Sequence, residues 1–465
     1  MEKAGIPMYK DNVPDDQISP ESLVSKVIAT TAFQNFFNTI ANGGFLLLFA
    51  SIAALIWSNI SPESYNHFWH QEFTLTIGGA SLSHSLAHWV NDGLMTLFFF
   101  TVGLEIKREM LVGALSDPRR AALPVAAAAG GMIFPALIYW WFNGGADSMS
   151  GWGIPIATDI AFSLAILSTL GRRIPFGIRI FLTAFAIADD LGAILVIALF
   201  YTPEIHMAYL LGGVSVCVIL FLMNRFWVRN PVGYLVAGIV LWYMVAHSGL
   251  HATITGVIIS MFIPAKSHYN TDVFMKMVRE RLEQIKCDGD ECGYTIMVNR
   301  AHLDAVHSIN IACSQVETPL QRMEHAMEPW VAYLILPLFA LANAGVVLGA
   351  LDPMAAALHP VTLGIIFGLA FGKPVGILLF TWLTTKILRV NLITGATWSM
   401  ILGVGFLGGI GFTMSLFIGA LSFSEPVYQE YAKIGIIGGS FIAGVCGYAI
   451  LRWATREKSG TDHVF

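Results

Sequence analysis

Residues 181–201 read FLTAFAIADDLGAILVIALFY, an apolar run that carries the adjacent carboxylates Asp189 and Asp190 near its centre. A helix of about 20 apolar residues is long enough to cross a bilayer. A charged side chain inside the hydrocarbon layer is costly, so charges retained there usually serve a function. This stretch therefore predicts a transmembrane helix with two functional carboxylates.

Apolar stretches of this kind recur along the whole chain. Of its 465 residues, 55% are hydrophobic and 12% are charged, whereas a soluble globular protein is roughly 25% charged. The composition predicts an all-α polytopic membrane protein. Apolar runs between charged or Pro/Gly-rich breaks predict about 12 transmembrane helices, at 36–58, 86–106, 121–142, 153–170, 177–200, 206–224, 231–247, 251–264, 328–348, 360–385, 397–420 and 431–451.

The basic residues give the orientation. All of the 26 Lys and Arg residues except Lys373 and Lys433 lie in the two tails or in alternate connections, and such residues collect on the cytoplasmic side. Both termini are therefore expected in the cytoplasm. The predicted organisation is a tail (1–35), spans 1–8 (36–265), a cytoplasmic insertion (266–327), spans 9–12 (328–452) and a second tail (453–465). A net charge of -5 without a large basic block argues against nucleic acid as a partner.

The insertion contains a weak candidate for a metal site. Two cysteines lie close together and a third lies near two histidines, namely Cys287, Cys292, Cys313, His302 and His307. Their spacing fits no standard zinc pattern. An ordinary loop with reduced cysteines is the favoured interpretation.

Among the charged residues inside predicted spans, five stand out as candidates for function: Asp92, Asp159, Asp189, Asp190 and Lys373. Adjacent helix positions point about 100° apart, so one aspartate of the pair can face a cavity while the other faces Lys373. Two neighbouring carboxylates in mid-span cannot both be ionised without a cation, a basic partner or water.

A cation site near these carboxylates would have further oxygen ligands. Asp159 follows the hydroxyl-bearing Thr158, and hard cations such as sodium prefer oxygen ligands. Protons and a small cation would compete for the same carboxylates, which is itself a mechanism for exchange. For Asp92, near the outer end of its span, a helix-capping role and a direct role both stay open. A plain interfacial charge cluster is likewise an alternative for Glu105 and its charged neighbours.

Helix breakers occur in two spans. Ile154-Pro155 precedes Thr158 in span 4, and span 11 contains GVGFLGGIGFTMS at 403–415, a glycine run that disfavours a regular helix. Small residues also allow close helix packing, which is the alternative explanation. If spans 3–5 and 10–12 are inverted repeats, the two discontinuous helices occupy matching places and are expected to cross at the midplane.

Several motifs resemble the NhaA family of bacterial sodium/proton antiporters, in the family's order over about residues 36–452. They include WVNDGLMTLFFFTVGLEIKREML at 89–111, GWGIPIATDIAFSLAIL at 151–167, FLTAFAIADDLGAILVIALFY at 181–201 and GGIGFTMSLFI at 408–418. Inverted repeats with broken helices are a property of that family.

The resemblance implies a secondary transporter, not an enzyme, without a cofactor. It would reside in the bacterial inner membrane and exchange cytoplasmic Na⁺ or Li⁺ for a larger number of external protons, for sodium and pH homeostasis. Asp190 and Asp189 would be the essential Na⁺-binding pair, with Lys373 as the partner of Asp189. Thr158 and Asp159 would lie where the broken helices cross, and Asp92 would line the ion route.

The resemblance also implies regulation by pH and a homodimer. The pH-responsive residues would be Glu105, Arg108, Glu109, His251, Glu324 and His325. The outer segment 63–85 would form a hairpin that mediates dimer contacts. The sequence departs from enteric relatives at Glu328, where a histidine is expected, and in the length of the insertion.

Two other functions use carboxylates in a membrane. A proton-coupled symporter or a cation channel would bind ions at Asp189 and Asp190 without exchange. The channel is the poorer fit, because two broken helices in inverted repeats suit alternating access. An intramembrane aspartyl protease needs a Gly-x-Gly-Asp string, which this chain lacks.

Overall fold

The computed structural model describes residues 42–459, except 78–79, 202–205, 268–270, 284–299, 348, 350–351, 391 and 394. Helices make up most of the described chain, as predicted. In the first half of the chain the elements are α1 (Asn42–Ile60), α2 (Pro62–Trp69), β1 (Glu72–Ile77), β2 (Ala80–Ser85), α3 (Leu86–His88), α4 (Met95–Leu111), α5 (Pro118–Asn143), α6 (Ile160–Thr169), α7 (Phe176–Phe200), α8 (Met207–Arg225), α9 (Pro231–Ser248) and α10 (Ile254–Phe262).

The second half of the chain is also helical. Its elements are α11 (Thr271–Glu283), α12 (Arg300–Val316), α13 (Pro319–Trp330), α14 (Leu336–Asn343), α15 (Pro353–Leu358), α16 (Pro360–Phe367), α17 (Lys373–Ile387), α18 (Trp398–Gly408), α19 (Phe412–Ser422) and α20 (Pro426–Ser459). Three short π-helical segments adjoin these helices: Trp89–Leu94 before α4, Val331–Ile335 between α13 and α14, and Gly368–Gly372 before α17.

Within the described residues, eight helices are long and apolar enough to cross a membrane, and two bent pairs raise the number to ten. The other two predicted spans, 86–106 and 251–264, correspond to shorter elements. The first is divided into α3, a π-helical segment and the 17-residue α4, and the second contains the nine-residue α10. Twelve spans therefore stay a prediction, whereas the polytopic helical architecture is observed.

Both predicted helix breaks are present. The helical segment Asp147–Ile156 meets α6 at a bend of 41°, and α18 meets α19 at a bend of 43°. In the first break, Pro155 precedes extended backbone at Ala157 and Asp159. In the second, the glycine run supplies Gly409 and Gly411 between the two helices. The breaks expose backbone groups that a continuous helix would have satisfied internally.

The ninth predicted span begins earlier than expected. It was predicted to start at residue 328, but α13 begins at Pro319 and, with the π-helical segment and α14, forms an apolar span over Pro319–Asn343. The start has a local cause, because the Thr318 hydroxyl accepts from the Gln321 amide at 3.2 Å and the Gln321 side chain pairs back with Thr318. This capping box, with proline in the first turn, favours a helix start there. Glu324 and His325 therefore belong to the spanning helix.

The helices differ in how far they are enclosed. In the apolar window of α7, 67% of residues are buried, against 17% in that of α8. The exposed face of α8 carries Leu211, Val218 and Phe221, as expected of a surface that lies against lipid. Helix α7 is therefore central, and its carboxylates are surrounded by protein.

A close helix contact fixes the position of α17. Gly130 on α5 and Gly376 on α17 face each other, and a Cβ added to either would collide with the backbone of the other. Small residues at such crossings let membrane helices approach closely. This contact holds Lys373, at the start of α17, against the centre of the protein.

The predicted hairpin in segment 63–85 is present. Strands β1 and β2 pair antiparallel, from Glu72 opposite Ser85 to Ile77 opposite Ala80. Phe73, on β1, is 52% exposed. The hairpin therefore presents an apolar side chain to its surroundings.

Candidate functional site

The aspartate pair lies at the middle of α7 and is fully enclosed. Asp189 and Asp190 are 0% and 1% exposed, and Lys373 is also 0% exposed. The Lys373 ammonium donates to Asp189 Oδ2 at 2.7 Å and to the carbonyl oxygen of Ile156. The ammonium thus connects α7 with the first broken helix. Because a buried charge requires a partner, Asp189 and Lys373 stabilise each other.

Asp190 has different surroundings from Asp189. Neither of its carboxylate oxygens has a hydrogen-bond partner within the described chain, and Asp189 Oδ1 also lacks one. Buried polar atoms are nearly always hydrogen-bonded in proteins. When ionised, these three oxygens can only accept, so a proton or a hard cation is a suitable partner for them.

Asp159 is satisfied by the protein itself. Its Oδ1 accepts from the Phe162 amide at 2.9 Å, and its Oδ2 accepts from the amide and the hydroxyl of Thr413 at 3.1 and 2.5 Å. It therefore caps α6 and also bonds the first turn of α19. Its negative charge lies at the positive ends of two helices, where it is favoured. The sequence did not identify Thr413, although its place just after the glycine run was a usable signal.

The two breaks are bonded to each other. The Asp159 amide donates to the Ile410 carbonyl at 2.6 Å, and the Thr158 hydroxyl donates to the Gly408 carbonyl at 2.8 Å. The Ser163 hydroxyl donates to the Leu407 carbonyl at 2.7 Å. These bonds satisfy carbonyls at the end of α18 and just after it that have no partner within that helix. The hydroxyl of Thr158 is thus used in holding the breaks together.

A cavity of about 60 Å³ lies beside the breaks, between α4, α6, α13 and α19. Its walls include Asp159 and Thr413 from the breaks, and Glu105 and Glu328 from the two neighbouring helices. A cavity needs a volume of roughly 10–15 Å³ to hold one water molecule, when volume is counted in this way as the space open to the centre of a water. It therefore has room for several waters or for a partly hydrated ion.

Four of the six predicted pH-responsive residues lie together at the end of α4. Arg108 forms ion pairs with the buried Glu324 and, at 3.2 Å, with Glu109. Glu109 also accepts from the Ala114 amide at 2.7 Å, just after the helix ends. Glu105 lies one turn before, in the cavity wall. The arrangement links α4 to α13 through a single guanidinium group.

The two histidines of the predicted group lie apart from this ion pair. His325 is exposed, and its Nδ1 lies 3.7 Å from the Glu317 carboxylate. His251 precedes α10, and its Nε2 lies 2.6 Å from the carbonyl of Tyr201 at the end of α7. The six residues therefore do not form one cluster.

Asp92 lies near the start of the second predicted span. Its Oδ2 is 3.3 Å from Nε2 of His88, one turn earlier. It belongs to a π-helical segment, a feature often found at functional sites. Besides His88, the imidazoles of His251 and His84 are near enough to act on Asp92 electrostatically.

Of the three cysteines considered for a metal site, one lies within the described residues. Cys287 and Cys292 lie outside the described residues, and Cys313 is exposed. Within the described ranges, no group of three potential ligands comes together as a metal site.

Comparison with known proteins places this arrangement in a family. The family model described as Na⁺/H⁺ antiporter 1 matches residues 34–451. The chain belongs to this family. It is 45% identical to the Na⁺/H⁺ antiporter NhaA of Oleidesulfovibrio alaskensis, over 94% of this chain and 96% of that protein.

Two further relatives agree. The chain is 44% identical to the Na⁺/H⁺ antiporter NhaA of Koribacter versatilis, over 94% of each protein. It is also 44% identical to the Na⁺/H⁺ antiporter NhaA 2 of Syntrophotalea carbinolica, over 92% of this chain and 97% of that protein. As a member of the Na⁺/H⁺ antiporter 1 family, the chain is a multi-pass membrane transporter and not an enzyme, and the resemblance read from its motifs is confirmed.

Proposed function

We propose that the chain exchanges cytoplasmic Na⁺ or Li⁺ for external protons across a bacterial inner membrane, with both termini in the cytoplasm. Family membership supports the exchange of sodium for protons. The distribution of basic residues supports the orientation. The observation that carries the proposal is the buried Asp190 carboxylate, whose two oxygens have no partner in the described part of the chain.

In this proposal Asp190 is the main ligand of the cation, and Asp189 contributes its free oxygen Oδ1. A sodium ion and protons compete for these oxygens, because each neutralises the buried negative charge. Protonation releases the cation, and cation binding releases protons. An empty, ionised site is too costly to move across the membrane, so only loaded forms change orientation. Exchange of one cation for more than one proton makes transport electrogenic.

The other site residues keep this arrangement in place. Lys373 neutralises Asp189 and binds the carbonyl of Ile156 at the first break. Asp159 balances the positive ends of α6 and α19, and Thr158 joins the two breaks. Movement of the joined breaks would open Asp190 to one side of the membrane and then to the opposite side. Asp92 would line the route from the binding site toward one of these sides.

We propose that the carboxylates around Arg108 set the pH dependence of exchange. Glu109 and Glu324 form ion pairs with this one guanidinium between α4 and α13, and Glu105 is near enough to interact with it electrostatically. A change in their protonation would alter the link between the helices that border the cavity. His251 and His325 would contribute from separate positions. A homodimer formed through the hairpin of β1 and β2 is proposed as well, since the hairpin exposes Phe73.

Proton movement in everted membrane vesicles tests the exchange. A pH gradient is formed first, and sodium, lithium or potassium is then added at several pH values. Sodium or lithium should dissipate the gradient in the native protein and not in Asp190→Asn. A gradient that persists with all three cations at every pH would contradict antiport. Sodium uptake that instead requires protons moving in the same direction would indicate symport.

A further inference from the structure

The cavity beside the breaks has an excess of negative charge. Besides Asp159, which is hydrogen-bonded at the breaks, four carboxylates lie in or next to it: Glu105, Glu109, Glu324 and Glu328. Arg108 is the one guanidinium that pairs with this group among the described residues, and its bonds go to Glu324 and Glu109. The nearby His325 imidazole contacts the carboxylate of Glu317, with its Nδ1 at 3.7 Å from the nearer oxygen. Glu105 and Glu328 are therefore left without an ion-pair partner in the described chain.

The nearest lysine is used elsewhere. Lys107 follows Glu105 by two positions in α4, but its ammonium donates to the carbonyls of Ser260, Met261 and Ile263 at the end of α10. A cation at a helix C-terminus is well placed to satisfy free carbonyls there. Lys107 thus does not neutralise the carboxylates in the cavity.

Glu105 is a suitable ligand for a cation in this cavity. Its exposure is 9%, it lines the cavity, and no hydrogen bond to it is found in the described part of the chain. Glu328, half-buried in the same wall, is close enough to repel it electrostatically. Two unpaired carboxylates that share a poorly solvated cavity attract a cation.

A third oxygen is available in the same wall. Thr101 lies one turn before Glu105 and is 3% exposed. Its hydroxyl donates to the Leu97 carbonyl at 3.1 Å, so the lone pairs of its oxygen stay free to accept. Two carboxylates and a hydroxyl oxygen are the ligand type that hard monovalent cations prefer.

We propose that Glu105 and Glu328 form a second binding site for Na⁺ or Li⁺, which the cation occupies before it reaches Asp190. This site deepens the proposed function and rests on it for its place in transport. Glu328 supplies one of the two negative charges of this site, so removing its charge should weaken the binding of sodium there.

Binding of radioactive sodium to the purified protein at alkaline pH tests the site independently of transport. Asp190→Asn removes the main site and should retain weaker sodium binding. Adding Glu328→Gln to that variant should weaken the remaining binding by about fivefold or more, since a full charge near a cation contributes on the order of tenfold in affinity. Glu328→Asp, which keeps the charge, should retain it.

A matched control separates a local effect from a change in net charge. Glu280 is exposed on α11, so Glu280→Gln removes the same charge and should leave binding unchanged. The proposal is overturned if Asp190→Asn binds no sodium at concentrations that saturate exchange, or if Glu328→Gln binds as the parent does. Equal thermal midpoints exclude misfolding as the cause.

Transport then separates the two proposals. In proteoliposomes, Glu328→Gln should raise the apparent KM for sodium and leave the maximal rate unchanged. An unchanged KM would mean that the site plays no part in sodium uptake. If Asp190→Asn retains sodium binding but the native protein shows no exchange, the second binding site would stand and antiport would be refuted.

Discussion

Asp190 in the middle of α7 and Glu324 near the start of α13 are both buried carboxylates, but their surroundings differ. Glu324 is bound to Arg108 through one oxygen, whereas Asp190 has no hydrogen-bond partner in the described chain. A carboxylate bound by the protein contributes to structure or regulation, because neutralising it breaks a bond. A carboxylate left without a partner is available for a transported ion. Asp190 is thus suited to binding an ion, whereas the pair of Arg108 and Glu324 is suited to linking α4 with α13.

Asp159 shows that the difference does not follow from depth alone. It is as enclosed as Asp190, yet it accepts three hydrogen bonds from α6 and α19. The position of a carboxylate relative to helix ends therefore decides its role. Four sets of variants test this comparison.

The largest effect is expected for Asp190→Asn. The change removes the charge and a cation ligand but no hydrogen bond, so exchange should fall to background while the thermal midpoint stays the same or rises. Vesicle transport and thermal unfolding measure the two properties. A variant that retains exchange would assign the cation to other oxygens.

Lys373→Ala should be the most damaging change to stability. It leaves Asp189 buried without its partner, and breaking a buried ion pair in this way costs about 3–5 kcal/mol. Thermal unfolding in detergent would record the loss. The double variant Lys373→Ala/Asp189→Asn should recover part of it, and an unchanged midpoint in the single variant would contradict the pairing.

Asp159→Ala should have a somewhat smaller effect on stability. It removes the cap of α6 and leaves the donors of Thr413 unsatisfied, a loss of about 2–4 kcal/mol. Asp159→Asn keeps an acceptor oxygen and serves as the control, with a smaller loss. Equal midpoints for both variants and the native protein would show that Asp159 does not hold the breaks.

The smallest effect is expected at the end of α4. Arg108→Gln, Glu324→Gln and their combination form a double-mutant cycle, with a coupling of about 1–3 kcal/mol for a partly buried, charge-assisted pair. Unfolding of the four proteins measures it. Both single variants should also move the pH at which exchange begins while keeping its maximal rate. Loss of all exchange in either variant would place this pair in the transport path.

The membrane architecture followed from sequence because its causes are local. Apolar length, the positions of Lys and Arg, and the breakers at Pro155 and the glycine run each act over a few residues. The start of α13 at Pro319 was missed, since the capping box at Thr318 lies in a polar segment that the apolar pattern ignores. The division of the second span was missed because a π-helical segment has no distinct apolar pattern.

The sequence by itself determined which charges are candidates for function, because a charge retained within an apolar span is costly wherever the helix lies. Motif resemblance added the family, which the comparisons confirm. Only the tertiary structure decided which carboxylates have partners. Asp159 contacts Thr413, which lies 254 positions away in the sequence, and Arg108 contacts Glu324, which lies 216 positions away. Contacts between such distant residues depend on how helices pack, so no local pattern distinguishes a bound carboxylate from a free one.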